Sequence, residues 1–257
     1  MKKRFGQHFL HNINILQRIV RVASISASEI VVEIGPGAGS LTRELAAVAK
    51  HVISIEIDRD LIANLRAEMP SNVEIIEADA LDVDLAKLAT GPFHVVGNLP
   101  YNVATPLFKR FIEFRRSILD VTVMIQKEVA DRIVAEPSTS SYGPLSVLIQ
   151  YYAIPKYGFT VAPGAFRPPP KVDSAVVRLE WRPDIPDARG FTDFVHRAFG
   201  SRRKKLLNNL LSMFPGSSRE QMSGNLEKAN VPIDARPENL SVKEFHRLYN
   251  QIMDVKV

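Results

Sequence analysis

Between Ile30 and Ile125 the sequence changes period repeatedly, with apolar runs of strand length alternating with stretches whose apolar residues recur at helical spacing. Ile30–Ile34, Val52–Glu56, Val73–Ile76, Phe93–Gly97 and Val121–Ile125 read as strands. Helices are expected through Leu41–Val48, Leu61–Met69 and Thr105–Phe114. Near-continuous apolar strands are buried on both faces, and a crossover helix between consecutive strands makes neighbours parallel. The pattern therefore predicts an α/β fold: a mostly parallel, Rossmann-like sheet with helices on both faces.

The flanks are simpler. Ile13, Leu16, Ile19, Val20 and Ala23 predict a helix before the first strand. After Ile125, helices are expected over 126–135 and 145–152, then short strands at Phe159–Val161 and Ser174–Trp181 that can form an antiparallel edge on the sheet. Residues 182–190 hold two prolines and Gly190, and beyond them nearly everything reads as helix, over 191–199, 204–213, 219–228 and 242–253. The expected division is an α/β domain over 1–185, beginning with a basic arm at 1–12, and a small all-helical domain over 186–257.

The chemistry is concentrated where strands end. Gly35-Pro36-Gly37-Ala38-Gly39 follows the first strand of the alternation and precedes a helix, so the backbone there can approach a ligand closely. Ser40 stands where a dinucleotide fingerprint requires glycine, and no Lys-Ser or Lys-Thr pair follows, which argues against both dinucleotide and nucleoside-triphosphate loops. Glu56 ends the next strand and can accept from both hydroxyls of a ribose. Asp79 lies just after the third, in Glu77-Ala78-Asp79-Ala80, where a carboxylate can accept from an exocyclic amine. Glu33 is positioned to orient the glycine turn or a ligand's charged end. Each of these acids alone also reads as a surface cap.

Asn98-Leu99-Pro100-Tyr101 follows the fourth strand. An amide oxygen, a backbone carbonyl and an aromatic plate suit a base bearing an amine, while the simplest reading is a strand-ending turn with a packed tyrosine.

The formal net charge of +5 favours a polyanionic partner. Lys2, Lys3, Arg4, Arg18 and Arg21 precede the first acid, Glu29, and Arg202-Arg203-Lys204-Lys205 forms a second basic block. Lys3, Arg4 and that block are the expected nucleic-acid contacts, a solvated helix face being the alternative for each cluster. The absence of cysteine excludes disulfides, thiolate metal sites and a cysteine nucleophile, and no metal is expected. No apolar run approaches the roughly 18 residues of a membrane helix, so the chain reads as cytoplasmic with no membrane partner.

Strand-end acids, a glycine turn and Asn-Leu-Pro-Tyr together resemble the S-adenosylmethionine-dependent amino methyltransferases. With Lys3-Arg4-Phe5-Gly6-Gln7-His8-Phe9-Leu10, Glu33 to Gly39, Asn98 to Tyr101, and Phe166-Arg167-Pro168-Pro169-Pro170-Lys171-Val172-Asp173-Ser174, the chain resembles the ribosomal RNA adenine dimethyltransferases, specifically their bacterial small-subunit branch. The last motif is the most specific and the glycine motif the least.

The resemblance implies N6,N6-dimethylation of two adjacent adenosines near the 3′ end of 16S ribosomal RNA. It implies S-adenosylmethionine as cofactor, the small subunit or its precursor as partner, a monomer, and a helical domain that helps grip RNA. His8, Leu10, Gly35, Glu56, Asp79 and Asn98 fall on cofactor-binding positions, with Glu33, Gly37, Gly39 and Ala80 beside them. Asn98, Leu99, Tyr101 and Phe166 form the expected base site. The family usually has Asn where this chain has His8, and a histidine there introduces a pH-sensitive group. The alternatives are a 23S ribosomal RNA methyltransferase of the same fold, a ribosome-assembly factor without catalysis, and an NAD-dependent dehydrogenase.

Overall fold

The computed structural model describes residues 8–100, 103–183, 185, 189–201 and 204–253. Lys3, Arg4, Tyr101, Arg202 and Arg203 lie outside the described residues. The chain forms two compact units, Met1–Ala130 with Ile154–Trp181, and Asp131–Ala153 with Arg182–Val257.

The first unit opens with a two-residue strand, β1 (Phe9–Leu10), and the helix α1 (Ile13–Ala23). The Asn12 side chain caps α1 by accepting from the Asn14 and Ile15 N–H groups, and Leu16, Ile19 and Ala23 form its buried stripe. β2 (Ile30–Ile34), α2 (Ser40–Ala46), β3 (His51–Glu56), α3 (Arg59–Glu68), β4 (Val73–Glu77), β5 (Phe93–Asn98), α4 (Ala104–Glu113) and β6 (Ile118–Gln126) then follow in the expected alternation. After α5 (Lys127–Val134) and α6 (Pro144–Tyr152) come β7 (Ala153–Val161), β8 (Phe166–Arg167) and β9 (Ser174–Trp181).

Seven strands form one sheet in the order β4-β3-β2-β5-β6-β9-β7. β2 pairs parallel with β3 and β5, β3 with β4, and β5 with β6, whereas β9 runs antiparallel to β6, with Asp120 opposite Glu180 and Gln126 opposite Ser174. The two late strands thus extend the sheet as the sequence suggested. β7 is longer than its apolar core because Pro155 and Gly158 interrupt the pattern without ending an edge strand. β1 pairs with β8 in a separate two-stranded sheet, Phe9 opposite Arg167 and Leu10 opposite Phe166.

The second unit is helical. α6 joins α7 (Arg189–Ala198), α8 (Leu206–Met213), α9 (Arg219–Lys228) and α10 (Val242–Met253). Its core is aromatic: Tyr151 lies 4.5 Å from Phe191, and Phe199 stacks on Phe245 at 5.5 Å between ring centroids. The Tyr142 hydroxyl donates to the Leu240 carbonyl at 2.8 Å. Residues 131–153 therefore group with the C-terminal helices, whereas the sequence reading assigned them to the α/β domain. The chain makes this excursion because α6 buries nearly its whole circumference, Tyr151 and Tyr152 included, in the aromatic core.

Candidate active site

β2, β3, β4 and β5 are parallel neighbours, so the residues that end them gather at one edge of the sheet. In such folds ligands bind outside the carboxyl ends of the strands, where the strand order reverses, here between β2 and β5. A cavity lies there, and His8, Leu10, Glu33, Gly35, Gly37, Glu56, Asp79, Ala80, Asn98 and Leu99 all line it.

The glycine turn is shaped by backbone strain that only glycine relieves. Gly35, Gly37 and Gly39 have φ of 70°, 58° and 79°. A β-carbon on Gly37 would stand 3.1 Å from the Phe9 ring. Gly39 instead faces away from the cavity, and a β-carbon there would come within 2.6 Å of Met69 Cε. It serves the packing of α2 on α3.

Glu33 is buried beneath this turn. Its Oε2 accepts from Thr42 Oγ1 at 2.7 Å and Ser54 Oγ at 2.8 Å. Burial pushes its carboxyl up to about 7, the two hydroxyls oppose the shift and the nearby Glu56 adds to it. Glu56 accepts three backbone N–H groups, from Gly37 at 3.1 Å on Oε2 and from Ile57 and Asp58 at 3.0 and 2.9 Å on Oε1. Burial raises its pKa, and these hydrogen bonds pull the other way. A carboxylate offers about four lone-pair sites, so Glu56 keeps acceptor capacity for one more donor. Asp79 is half-buried, with Oδ1 accepting from Leu81 N–H at 2.9 Å.

Asn98 is tied to the N-terminal arm, its Nδ2 donating to the His8 carbonyl at 3.1 Å. That bond assigns the amide nitrogen to the arm and leaves Oδ1 as an acceptor. Leu99 donates its N–H to the Met124 carbonyl at 3.0 Å and buries its side chain, so its carbonyl is the polar group it can offer. The arm is held by further contacts as well. β1 pairs with β8, His11 N–H donates to the Ala165 carbonyl at 3.2 Å, and His8 Nδ1–H donates to the Pro168 carbonyl at 2.7 Å. The glycine turn, the Asn98 turn and the Phe166 motif, far apart in sequence, all meet this arm.

Phe166 departs from expectation. Its ring is 2% exposed and belongs to the core cluster that contains Leu10, Leu16 and Ile19. It supports the arm from beneath and does not line the cavity. Lys204 and Lys205 are exposed and precede α8 in the helical unit.

Several contributors escaped the sequence reading. Gly97 is one, because a β-carbon there would lie 2.6 Å from the Ile34 carbonyl, so glycine alone lets β5 approach β2 just before Asn98. A glycine inside a strand is the available signal of such an approach. Thr42 and Ser54 carry no signal, since hydroxyls on a helix and a strand are ordinary until Glu33 is placed between them.

Three carboxylates line the cavity, and among the described residues no lysine or arginine does. That acidic, hydrogen-bond-accepting lining opposes a dinucleotide's pyrophosphate and suits a ligand carrying positive charge and hydrogen-bond donors. Among the described residues no cluster of histidine and acidic side chains is arranged to hold a metal ion, and no helix is long and apolar enough to cross a membrane.

A family model described as ribosomal RNA adenine dimethylase matches residues 1–254. Two relatives named ribosomal RNA small subunit methyltransferase A are 43% and 42% identical, from Acinetobacter baylyi and Chromobacterium violaceum. Each alignment covers 98% of this chain, and 92% and 96% of the respective relative. The structure is similar to a dimethyladenosine transferase from Plasmodium falciparum, with TM-score 0.79 and 28% identity over 94% of this chain and 96% of the other. It is also similar to the 23S rRNA methyltransferase ErmE, with TM-score 0.74 and 28% identity over 95% and 99%.

Proposed function

The chain belongs to the ribosomal RNA adenine dimethylase family, and from that premise we propose that it dimethylates the N6 amines of two adjacent adenosines in the 3′-terminal hairpin of 16S ribosomal RNA. The observation that carries this reading is the oriented Asn98 amide, whose acceptor oxygen shares one cavity with the glycine turn and three carboxylates.

S-adenosylmethionine fits that cavity, since its sulfonium and ammonium charges match an acidic wall and its adenosine presents donors to acidic strand ends. When bound it supplies a methyl group on a positively charged sulfur. In this reading Glu56 accepts from the ribose and Asp79 from the adenine amine. Glu33 faces the amino-acid end, while His8, Leu10, Gly35, Gly37 and Ala80 complete the enclosure.

The adenine N6 lone pair of the RNA is delocalised into its ring, so the amine is a weak nucleophile. Asn98 Oδ1 and the Leu99 carbonyl accept its two hydrogens, pyramidalise the nitrogen and direct the lone pair toward the cavity. No strong base is needed, because the nitrogen becomes acidic only after it has gained the methyl group and then releases a proton to water. One N–H remains for the second transfer, when one acceptor suffices. Tyr101 stacks on the base, which must leave any helical stack to enter.

The relatives of over 40% identity carry small-subunit names, which favours 16S over 23S RNA. We assign catalysis to the α/β unit, and to the helical unit a grip on RNA through Arg202, Arg203, Lys204 and Lys205. The protein acts as a monomer in the cytoplasm, where its partner subunit is assembled. The deciding experiment incubates it with labelled S-adenosylmethionine and unmethylated small subunits and maps the label. Label on two adjacent adenosines near the 3′ end is expected, and unlabelled 16S RNA overturns the reading.

A further inference from the structure

Residues 1–28, before Glu29, and residues 137–172, between Glu136 and Asp173, contain no acidic residue. They are remote in sequence, yet segments of both meet within the α/β unit. β1 from the first pairs with β8 from the second, and α1 meets edge strand β7 through Arg18, whose guanidinium carbon lies 3.8 Å from the Phe159 ring centroid.

The result is an exposed face, beginning at the cavity, to which α1, β7 and β8 contribute no carboxylate, with Glu180 of β9 at its border. Leu16 of α1 lines the cavity, while Arg18 and Arg21 point outward from the same helix. Arg167 is exposed on β8 opposite Phe9, which also lines the cavity. Among the described residues no carboxylate forms an ion pair with Arg18, Arg21 or Arg167. Lys156 on β7 is neutralised by Glu180, and Tyr157 beside it exposes its ring, its hydroxyl 2.7 Å from Thr160 Oγ1.

Resting on the ribosomal RNA reading above, we propose that the outer face of α1, with Tyr157 of β7 and Arg167 of β8, is a track for the RNA strand that leads to the target adenosine. Stacking on Phe159 fixes the plane of the Arg18 guanidinium and leaves its N–H fork free for phosphate. Arg21 lies one turn further along α1 and Arg167 stands nearer the cavity, so the three charges follow a path suited to a backbone. Tyr157 offers a ring on which an unpaired base can stack. An acidic protein partner would be met by charge alone and would make no use of that ring.

The test uses the full chain and a protein-free synthetic RNA hairpin with single-stranded flanks, with affinity measured from about 50 to 200 mM salt, a span over which phosphate contacts are resolved. Arg21→Ala, Arg18→Ala/Arg21→Ala and Arg18→Lys are compared with the parent, and cofactor affinity is measured in parallel. Each lost phosphate contact should lower the salt slope by about 0.7 for single strands. The double variant should therefore lose about 1.4 from the slope and roughly tenfold in RNA affinity, while cofactor affinity is unchanged. Arg18→Lys should retain the slope yet bind more weakly.

Arg21→Ala keeps the test decisive if loss of the Arg18–Phe159 contact loosens the fold. Unchanged affinity and slope in the Arg21 variant and the double variant, with a parent that methylates 16S RNA, overturn the track alone. Unchanged hairpin binding with reduced methylation of whole subunits assigns the face to a ribosomal protein and equally overturns it. A parent that methylates no 16S RNA overturns the functional reading itself.

Discussion

Asn98 directs its amide nitrogen at the carbonyl of His8, 3.1 Å away, and a carbonyl can only accept. The N-terminal arm therefore sets the side chain so that oxygen, not nitrogen, is available to the cavity. Asn98→Asp keeps two acceptors but loses this donor and sets a carboxylate against the His8 carbonyl. Methyl transfer should fall by about 100-fold or more, the scale of one lost transition-state hydrogen bond, while cofactor binding stays measurable. Single-turnover kinetics beside a cofactor titration separate the two, and an Asp variant with parental rates would show that the donation orients nothing.

Glu33 should make cofactor affinity and stability respond to pH in opposite directions. Its carboxyl is raised to about 7, so the anion proposed to attract the cofactor's ammonium forms as pH climbs through that value, and affinity should rise. For stability the folded pKa lies above the ordinary 4.5, so the contribution is full below 4.5 and is lost as pH rises through about 7. The span corresponds to a loss on the order of 3 kcal/mol. Glu33→Gln keeps an acceptor for Thr42 and Ser54 and should flatten both profiles. Calorimetric binding and denaturant melts between pH 4.5 and 8 read the difference, and His8→Asn should leave the Glu33-dependent rise in place.

His94 predicts a second stability slope, at higher pH. It is buried with Nδ1 3.1 Å from Asp120 and Nε2 3.2 Å from Glu29. Burial opposes its charge, but the two carboxylates outweigh burial and raise its pKa above 6.5. A raised histidine pKa contributes stability that is complete below the unfolded value and lost as pH rises through the folded one. His94→Gln should remove the decline above pH 6.5 and leave the Glu33 decline intact; a variant with the parental high-pH slope would discharge His94 from the role.

Gly97→Ala tests the close approach of β5 to β2. With the Ile34 carbonyl 2.6 Å from the added β-carbon, two backbones must separate, at about 1–3 kcal/mol. Because Asn98 is the next residue, methyl transfer should drop more than the loss of folded protein explains. Rates normalised to the folded fraction decide this, and a purely proportional loss would make Gly97 a packing residue only.

Lys204→Glu/Lys205→Glu should weaken RNA binding and reduce its salt slope, while cofactor binding holds. A filter-binding titration with the same hairpin RNA measures it, and an unaltered slope would mark these lysines as a solvated helix approach.

The sequence was most legible where period and punctuation agree. Parallel strands are short and apolar, so Glu56, Asp79 and Asn98 announced themselves as polar residues following them, and a parallel sheet brings such ends together. The arm was harder to read, because a two-residue strand has no period and its partner Phe166-Arg167 belongs to a proline-rich stretch. For the same reason the motif around Phe166 could not distinguish a ring turned to the core from one turned to the cavity. Residues 131–153 were assigned by their neighbours in the chain, whereas Tyr151 and Phe191 associate across a gap that local pattern does not span.

The arm also bears on the order of events during synthesis. His8 and Pro168, joined by a 2.7 Å hydrogen bond, are 160 residues apart. Phe9 and Leu10 leave the translating ribosome early and have no strand to pair with until Phe166 and Arg167 emerge. A nascent chain that has finished β2 through β6 holds the five strands linked by parallel pairing, yet Asn98 lacks the seated arm that turns its amide. In the proposed mechanism catalytic competence thus waits for the return of the chain through β8, and a truncated product that possesses the parallel sheet would still be unable to modify RNA.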